Sequence, residues 1–163
     1  MVSAKKRKTI RVQGKLHDVI EIAENGKKHK VLKPLHVEFH QRDALQIILG
    51  ALILATPIGF TQEVWELAET LTLENIIIIS FLSILIVSSF VYYNFYHGKL
   101  DEHISLFLLR IGSTYGLSLF VVGLFLLLIG KLPYDTNLLL AIKRVVLVSF
   151  PASMSAAVSD SLK

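Results

Sequence analysis

Cysteine is absent from the 163-residue chain, and charged residues are scarce. Without thiols, the chain cannot form disulfides, thiolate nucleophiles, iron–sulfur clusters or cysteine-ligated zinc. Charged residues make up 18% of the sequence, whereas an average soluble domain carries about 25%. The sequence also has no phosphate-cradling glycine loop, dinucleotide fingerprint or nucleophile–base motif. These absences argue against an ordinary soluble enzyme, and we expect neither an enzymatic activity nor a cofactor.

Apolar residues make up 53% of the chain and lie in long runs. A helix needs about 20 mostly apolar residues to cross a bilayer. The sequence predicts four such spans, at residues 44–67, 75–96, 104–129 and 138–159. The short connections between them favour two helical hairpins packed as a four-helix bundle. We therefore predict an all-α membrane protein whose four transmembrane helices form a domain over residues 43–163.

Basic residues are concentrated at the start of the chain. Residues 1–42 contain eleven Lys and Arg against four Asp and Glu, whereas the remainder contains six against nine. The positive-inside rule places this basic segment in the cytoplasm, and four spans bring the C-terminus back to the same side. We therefore predict a multi-pass protein of the plasma membrane with both termini in the cytoplasm.

Residues 1–42 are predicted to form a separate cytoplasmic arm. Alternating apolar and polar residues at 18–22 and 28–32 flank Asn25-Gly26, a pattern typical of a β-hairpin. The basic cluster Lys5–Lys8 is suited to anionic lipid, although a topology signal also explains its charge. No nucleic-acid motif accompanies the cluster, so no nucleic-acid partner is expected. No apolar run follows the first residues directly, which argues against a cleavable signal peptide.

Polar residues of the predicted first span share one face of a straight helix. At 100° per residue, a narrow arc contains Thr56, Gly59, Glu63, Glu66 and Thr70. Two carboxylates one turn apart, beside glycine and threonine, would suit a hydrated cation. Pro57 is expected to kink the helix where this face begins. Alternatively, the two glutamates simply lie in the outer headgroup region, where acidic residues cost little.

Ionisable residues also lie within the later spans, where an unpaired charge is costly. Lys143 and Arg144 lie at a depth similar to that of the two glutamates of the first span, so we expect these two sets to pair. Arg110 of the third span and Asp160 of the fourth are expected to pair near the inner end. Such pairs either belong to an ion pathway or act as structural clamps.

Small residues line one side of the predicted third span, at Gly112, Gly116 and Gly123. Glycine allows another helix to approach closely, which favours packing in lipid. Arg110 and Thr114 lie on the opposite side and must therefore face protein or water. The sequence predicts a two-faced third helix but does not identify its packing partner.

Four histidines near carboxylates are candidate metal ligands. They are His36, His40, His97 and His103. Imidazole and carboxylate groups ligate divalent metals. A solvated loop explains the same residues more simply.

The sequence resembles a prokaryotic family of integral membrane proteins of unknown function. The resemblance lies in two segments, residues 42–66 and 149–157. The most specific element is Pro57-x3-Thr61-x-Glu63-x-Trp65. The resemblance covers most of the membrane part and implies the membrane class. It implies no activity, and the basic arm is not part of it.

We interpret the chain as an oligomeric cation-conducting channel or small ion transporter. Its expected partners are the lipid bilayer, further copies of itself and inorganic cations. In this interpretation Glu63 and Glu66 of several subunits form an acidic ring that concentrates cations. The alternative is a membrane-anchored interaction or sensor protein that presents the basic arm in the cytoplasm.

Overall fold

The computed structural model describes residues 8–12, 15–24, 27–34, 39–97 and 100–162. The chain divides into two compact units, Met1–Phe39 and His40–Lys163. The predicted turn at Asn25-Gly26 lies outside the described residues.

The N-terminal unit contains three strands, β1 (Lys8–Val12), β2 (Lys15–Glu24) and β3 (Lys27–Pro34). They form an antiparallel sheet in the order β1-β2-β3. The register pairs Ile10 with His17 and Ile20 with Val31. Alternation of apolar and polar residues along β2 is the period-2 pattern that a strand requires.

The C-terminal unit is helical. Its helices are α1 (Gln41–Ile58), α2 (Gln62–Thr70), α3 (Leu73–Val91), α4 (Leu100–Leu128) and α5 (Leu138–Ser161), and a π-helical segment, Tyr92–Tyr96, follows α3. Among the described residues, three segments are each long and apolar enough to cross a membrane, namely Leu73–Tyr96, His103–Leu128 and Leu138–Ser161. The bent pair α1 and α2 makes a fourth if it counts as one span. The prediction of an all-α transmembrane domain is confirmed.

The first predicted span, residues 44–67, is not one straight helix. It ends at Ile58 and resumes at Gln62 after a bend of 89°. Pro57 has no N–H to donate, and the Gly59 N–H closes the last turn by donating to the Ala55 carbonyl at 2.8 Å. Thr61 is extended, with φ −90° and ψ 136°, so the chain leaves the axis of α1 there. The expectation of a single polar face was therefore wrong: Thr56 and Gly59 lie on one side of the bend, and Glu63, Glu66 and Thr70 lie on α2.

Helix α5 is the centre of the helical unit and contacts each of the other four helices. Its buried positions carry mostly small side chains: Ala141, Val148, Ser149, Ala152, Ser153, Ala156, Ala157 and Asp160. Small residues let helices approach closely in lipid, where packing rather than the hydrophobic effect drives association. Large apolar side chains point outward instead, as at Leu49, Phe81 and Leu108, each more than half exposed. This outward face matches the hydrocarbon of a bilayer.

Helices α1 and α5 cross closely at Gly50 of α1. A Cβ atom at this position would lie 2.6 Å from the Ser159 Cβ and 2.8 Å from the Ala156 Cα, both on α5. The predicted packing glycines behave differently. Among the described residues, nothing lies within 4 Å of a Cβ built at Gly112 or Gly116, and Gly123 has only an ordinary contact of 3.9 Å with Val145. Gly112 and Gly116 therefore pack against no other described helix of this chain, because the opposite, polar side of α4 faces the interior, and the helix-packing role predicted for them stays a prediction.

We expect Gly50→Ala to destabilise the helical unit by about 1–3 kcal/mol, because the new methyl group would meet backbone atoms that cannot rotate away. Heat- or SDS-induced unfolding of the detergent-solubilised protein measures the effect. Gly116→Ala is the matched control, since it adds the same methyl group in open space. Equal unfolding curves for the two variants would contradict this account of the α1–α5 crossing.

Candidate functional site

Arg110 lies at the centre of a buried charge cluster near one end of the bundle. Its Nε donates to the Asp160 Oδ2 at 3.0 Å, and its Nη2 donates to the Asp160 Oδ1 at 3.3 Å and to the Asp43 Oδ2 at 2.9 Å. The side chains of Arg110 and Asp160 are completely inaccessible to solvent, and that of Asp43 is 3% exposed. One guanidinium therefore joins α1, α4 and α5 through two carboxylates.

The two carboxylates lie at opposite helix ends, which gives them different local energies. Asp43 lies in the first turn of α1, and its Oδ2 accepts the His40 backbone N–H at 3.0 Å. A carboxylate is favourable there because the helix dipole and the unpaired N–H groups attract negative charge. Asp160 lies in the last turn of α5, where the dipole repels a carboxylate. The bidentate contact with Arg110 offsets that cost.

Aromatic side chains from the π-helical segment complete the cluster. The Arg110 Cζ lies 3.9 Å from the centroid of the Phe95 ring, a cation–π distance. Tyr96 is fully buried, and its ring lies 5.3 Å from that of Phe107. The sequence pattern alone gives Phe95 no role. A π-turn shifts the side chains that follow it, and nothing in the local sequence signals that shift.

A second charge group lies at the opposite end of α5. The Lys143 Nζ donates to the Leu71 carbonyl at 2.6 Å, and the Arg144 Nη2 donates to the Glu69 Oε1 at 3.2 Å. The Arg144 Nη1 also donates to the Lys131 carbonyl at 2.9 Å, and its Cζ lies 5.2 Å from the Trp65 ring centroid. These contacts tie α5 to α2 and to the loops that precede α3 and α5.

The expected pairing of Lys143 and Arg144 with Glu63 and Glu66 was wrong. Both glutamates are exposed on α2, and Glu66 accepts from the Gln62 amide at 2.8 Å. The bend after α1 turns α2 so that Glu69, which the sequence analysis overlooked, faces Arg144 instead. By contrast, the structure brings together Arg110 and Asp160, which the sequence placed at one depth.

Buried hydroxyl groups line the interior between the two charge groups. Helix α4 carries Thr114 and Ser118, which follow Arg110 at four-residue spacing. Helix α5 carries Ser149 and Ser153, and helix α3 carries Ser83. All five side chains are at most 1% exposed. The Ser83 and Ser153 hydroxyls share a hydrogen bond of 2.8 Å, and the Ser118 hydroxyl donates to the Thr114 carbonyl at 2.7 Å. Within the described chain, the Thr114 Oγ1 and Ser149 Oγ atoms are buried without any hydrogen-bond partner. The mainly apolar core of the bundle therefore also contains buried hydroxyl groups between the two charge groups.

The three candidate metal ligands that the structure describes, His40, His97 and His103, belong to no group that could hold a metal ion. His97 is exposed and packs against the Tyr92 and Tyr93 rings at 6.0 and 5.8 Å, and His40 is exposed at the start of α1. His103 lies at the start of the membrane-spanning part of α4, and His36 lies outside the described residues. The part of the chain that the structure describes holds no group of three or more His, Asp or Glu side chains that could bind a metal ion.

A family profile decides the class of the protein. The family described as "Putative integral membrane protein (DUF2391)" matches residues 14–160. The chain belongs to this family. No curated protein and no solved structure matches it. The DUF2391 assignment confirms the membrane class that the apolar runs predict, and its description names no substrate.

We expect Arg110→Met to destabilise this DUF2391 protein by about 3–5 kcal/mol, because it leaves two buried carboxylates without their shared cation. Unfolding of the purified protein in detergent by heat or SDS measures the loss. The variant that also carries Asp43→Asn and Asp160→Asn should regain much of it, since no uncompensated charge remains. Arg42→Gln, which removes an exposed arginine one residue before Asp43, is the control and should stay within about 0.5 kcal/mol of the wild type. A single variant as stable as that control would show that the cluster contributes little.

Proposed function

We propose that this DUF2391 protein transports a small cation across the membrane through the polar interior of its helix bundle. The observation that carries this proposal is the solvent-inaccessible cluster of Arg110 with Asp43 and Asp160 inside a unit built for lipid. Ionisable residues within membrane spans are costly, and they mark ion and proton pathways in many membrane proteins.

Stability alone explains the cluster poorly. Removing charges from water costs several kcal/mol per ion in practice, and well-packed apolar residues of similar volume commonly stabilise a protein as much or more. A transport function gives the charges a different use. Arg110 holds the two carboxylates when no ion is bound, and a proton or metal cation arriving at Asp160 competes with the guanidinium for the same oxygens. Such competition lets ion binding change the contacts between α4 and α5.

The hydroxyl groups support a route away from the cluster. Thr114 and Ser149 lie in the bundle core with oxygen atoms that have no partner among the described residues. A buried hydroxyl without a partner is costly in a dry core, and it is well suited to contact water or a passing ion. With Ser83, Ser118 and Ser153 these groups provide oxygen ligands between the two charge groups.

Oligomerisation and orientation belong to the same proposal. We place the Arg110 cluster at the cytoplasmic face of the plasma membrane, because the basic N-terminal segment precedes it. The exposed carboxylates of Glu63 and Glu66 then lie at the outer face. In a homo-oligomer these carboxylates would surround the outer entrance of the ion route and concentrate cations there. Because α1 and α2 are bent, the carboxylates would not line a pore formed by straight first helices.

The basic arm supports a second candidate function, that of a membrane-anchored interaction or sensor protein. Strand β3 alone carries four lysines in eight residues, at 27, 28, 30 and 33. Such a density of charge attracts anionic lipid or an acidic partner. Deleting residues 1–39 distinguishes the two functions, because it should spare ion flux if the bundle is the transporter and abolish the cellular role if the arm is the active part.

Flux of H⁺, Na⁺, K⁺ and Ca²⁺ into liposomes that contain the purified protein tests the transport proposal. We expect at least one ion to cross and Asp160→Asn to reduce its flux about tenfold or more, in line with an intramembrane carboxylate that binds the ion. Glu63→Gln should reduce flux only a few-fold and only at low salt, because screening removes the attraction of an exposed charge. Asp135→Asn, at an exposed loop carboxylate, is the control. Absence of flux for every ion, with folded protein in the vesicles, would move the assignment to the anchored interaction protein.

A double variant tests whether the buried hydroxyl groups belong to the ion route. Thr114→Val with Ser149→Ala removes two buried hydroxyls that have no partner in the described part of the chain. We expect unfolding stability to stay equal or rise, because the desolvation cost of both hydroxyls disappears, while ion flux falls several-fold. Unchanged flux in this variant would remove the hydroxyl groups from the route.

A further inference from the structure

A cavity of about 310 Å³ opens at the bend between α1 and α2. Its lining residues are Gly59, Phe60, Gln62, Trp65 and Lys131. Two aromatic rings, one amide and one ammonium group thus surround a space large enough for a small ligand or a headgroup. None of the steps proposed for ion transport uses this cavity.

The walls of the cavity are held in place by Arg144. Its Nη1 fixes the Lys131 carbonyl at 2.9 Å, its Nη2 is bound to Glu69, and its Cζ lies 5.2 Å from the Trp65 ring centroid. The Lys131 N–H also donates to the Leu126 carbonyl at 2.9 Å. Because the Trp65 ring and the Lys131 backbone are already held, a ligand would lose free energy only to ordering of the exposed Lys131 and Phe60 side chains.

The charge of the cavity favours an anion. Lys131 is exposed, and its ammonium group has neither a hydrogen bond nor an ion pair within the described residues. Of the three carboxylates of α2, Glu69 is paired with Arg144, and neither Glu63 nor Glu66 is among the residues that line the cavity. Among the described residues that line the cavity, Lys131 is the one with a charged side chain.

The surroundings of the cavity favour a lipid over a free anion. Phe60 is 68% exposed beside it, and Leu128 at the end of α4 is 78% exposed. The cavity lies where α1 and α4 end, which is the level at which an apolar span meets the headgroups. Tryptophan and lysine are the side chains that favour this level, because each combines an apolar body with a polar tip.

We propose that this cavity binds the headgroup of a membrane phospholipid, with the Lys131 ammonium on the phosphate and the Phe60 and Trp65 rings along the glycerol and the first acyl carbons. Arg144 is a positioning residue that holds both the ring and the lysine backbone. This assignment is independent of the proposed transport function, since its test involves no ion flux.

Trp65 is the single tryptophan of the chain and lines the cavity, so its fluorescence reports occupancy directly. The full-length protein in a neutral detergent is titrated with a short-chain phosphatidylglycerol, and in parallel with a diacylglycerol of the same chain length that lacks the phosphate. We expect saturable changes with the phospholipid and at least tenfold weaker binding of the diacylglycerol, in line with the loss of a charge-assisted contact.

The decisive variant is Lys131→Gln, which should weaken phosphatidylglycerol binding about tenfold without changing the melting temperature, because the side chain is exposed. Arg42→Gln removes the same charge from an exposed position on the first turn of α1, at the opposite end of that helix, and should leave the affinity unchanged. Equal affinities for Lys131→Gln and the wild type, or for the two lipids, would overturn the proposal. Displacement of the phospholipid by millimolar inorganic phosphate would overturn the lipid assignment in favour of a free anion.

Discussion

The buried guanidinium of Arg110 is the constraint on which the arrangement of the helices depends. In lipid, no water is present to solvate a charge, so the chain must supply every partner of this side chain. Asp43, Asp160 and the Phe95 ring come from three different segments, and all three must meet α4 at one depth. This requirement sets the register of α1 and α5 along α4 more strictly than apolar packing, which varies little with a slide along the axis.

Close packing on α5 follows from the same register. With Asp43 and Asp160 held at one level, α1 and α5 cross where Gly50 meets Ser159 and Ala156, a contact that only glycine allows. Further along the bundle, the Ser83 hydroxyl reaches that of Ser153. The small side chains of α5 are therefore consistent with its central position between α1, α3 and α4.

The extent of the apolar spans could be predicted from the sequence, because the length of an apolar run is a local property. The predicted spans 75–96, 104–129 and 138–159 differ from Leu73–Tyr96, His103–Leu128 and Leu138–Ser161 by at most two residues at each end.

Which side chains pair across the bundle depends on how the helices are placed, and this is not a local property of the sequence. Counting depth along straight helices placed Arg110 beside Asp160, but Asp43 was treated as a boundary residue, and its part in the cluster was missed. The predicted polar face of a straight first span was wrong, because Pro57 shows that a backbone hydrogen bond is lost but not how far the next helix turns. Nothing in the described chain packs on Gly112 or Gly116 of α4 for a related reason: small residues show where close approach is possible, whereas Arg110 decides which side of the helix turns inward.

The hydroxyl groups on the membrane helices differ in whether they have a hydrogen-bond partner. The hydroxyl groups of Thr56, Ser88 and Ser118 each donate a hydrogen bond to the backbone carbonyl four residues earlier in the same helix. That local bond is open to any hydroxyl on a helix and makes it nearly harmless in lipid. Thr114 and Ser149 do not use it, although both are fully buried. Each unmet hydroxyl costs about 1–3 kcal/mol in a dry core, a cost that valine or alanine would avoid. Stability alone therefore does not account for the two hydroxyls, and their position between the two charge groups supports the proposed transport function.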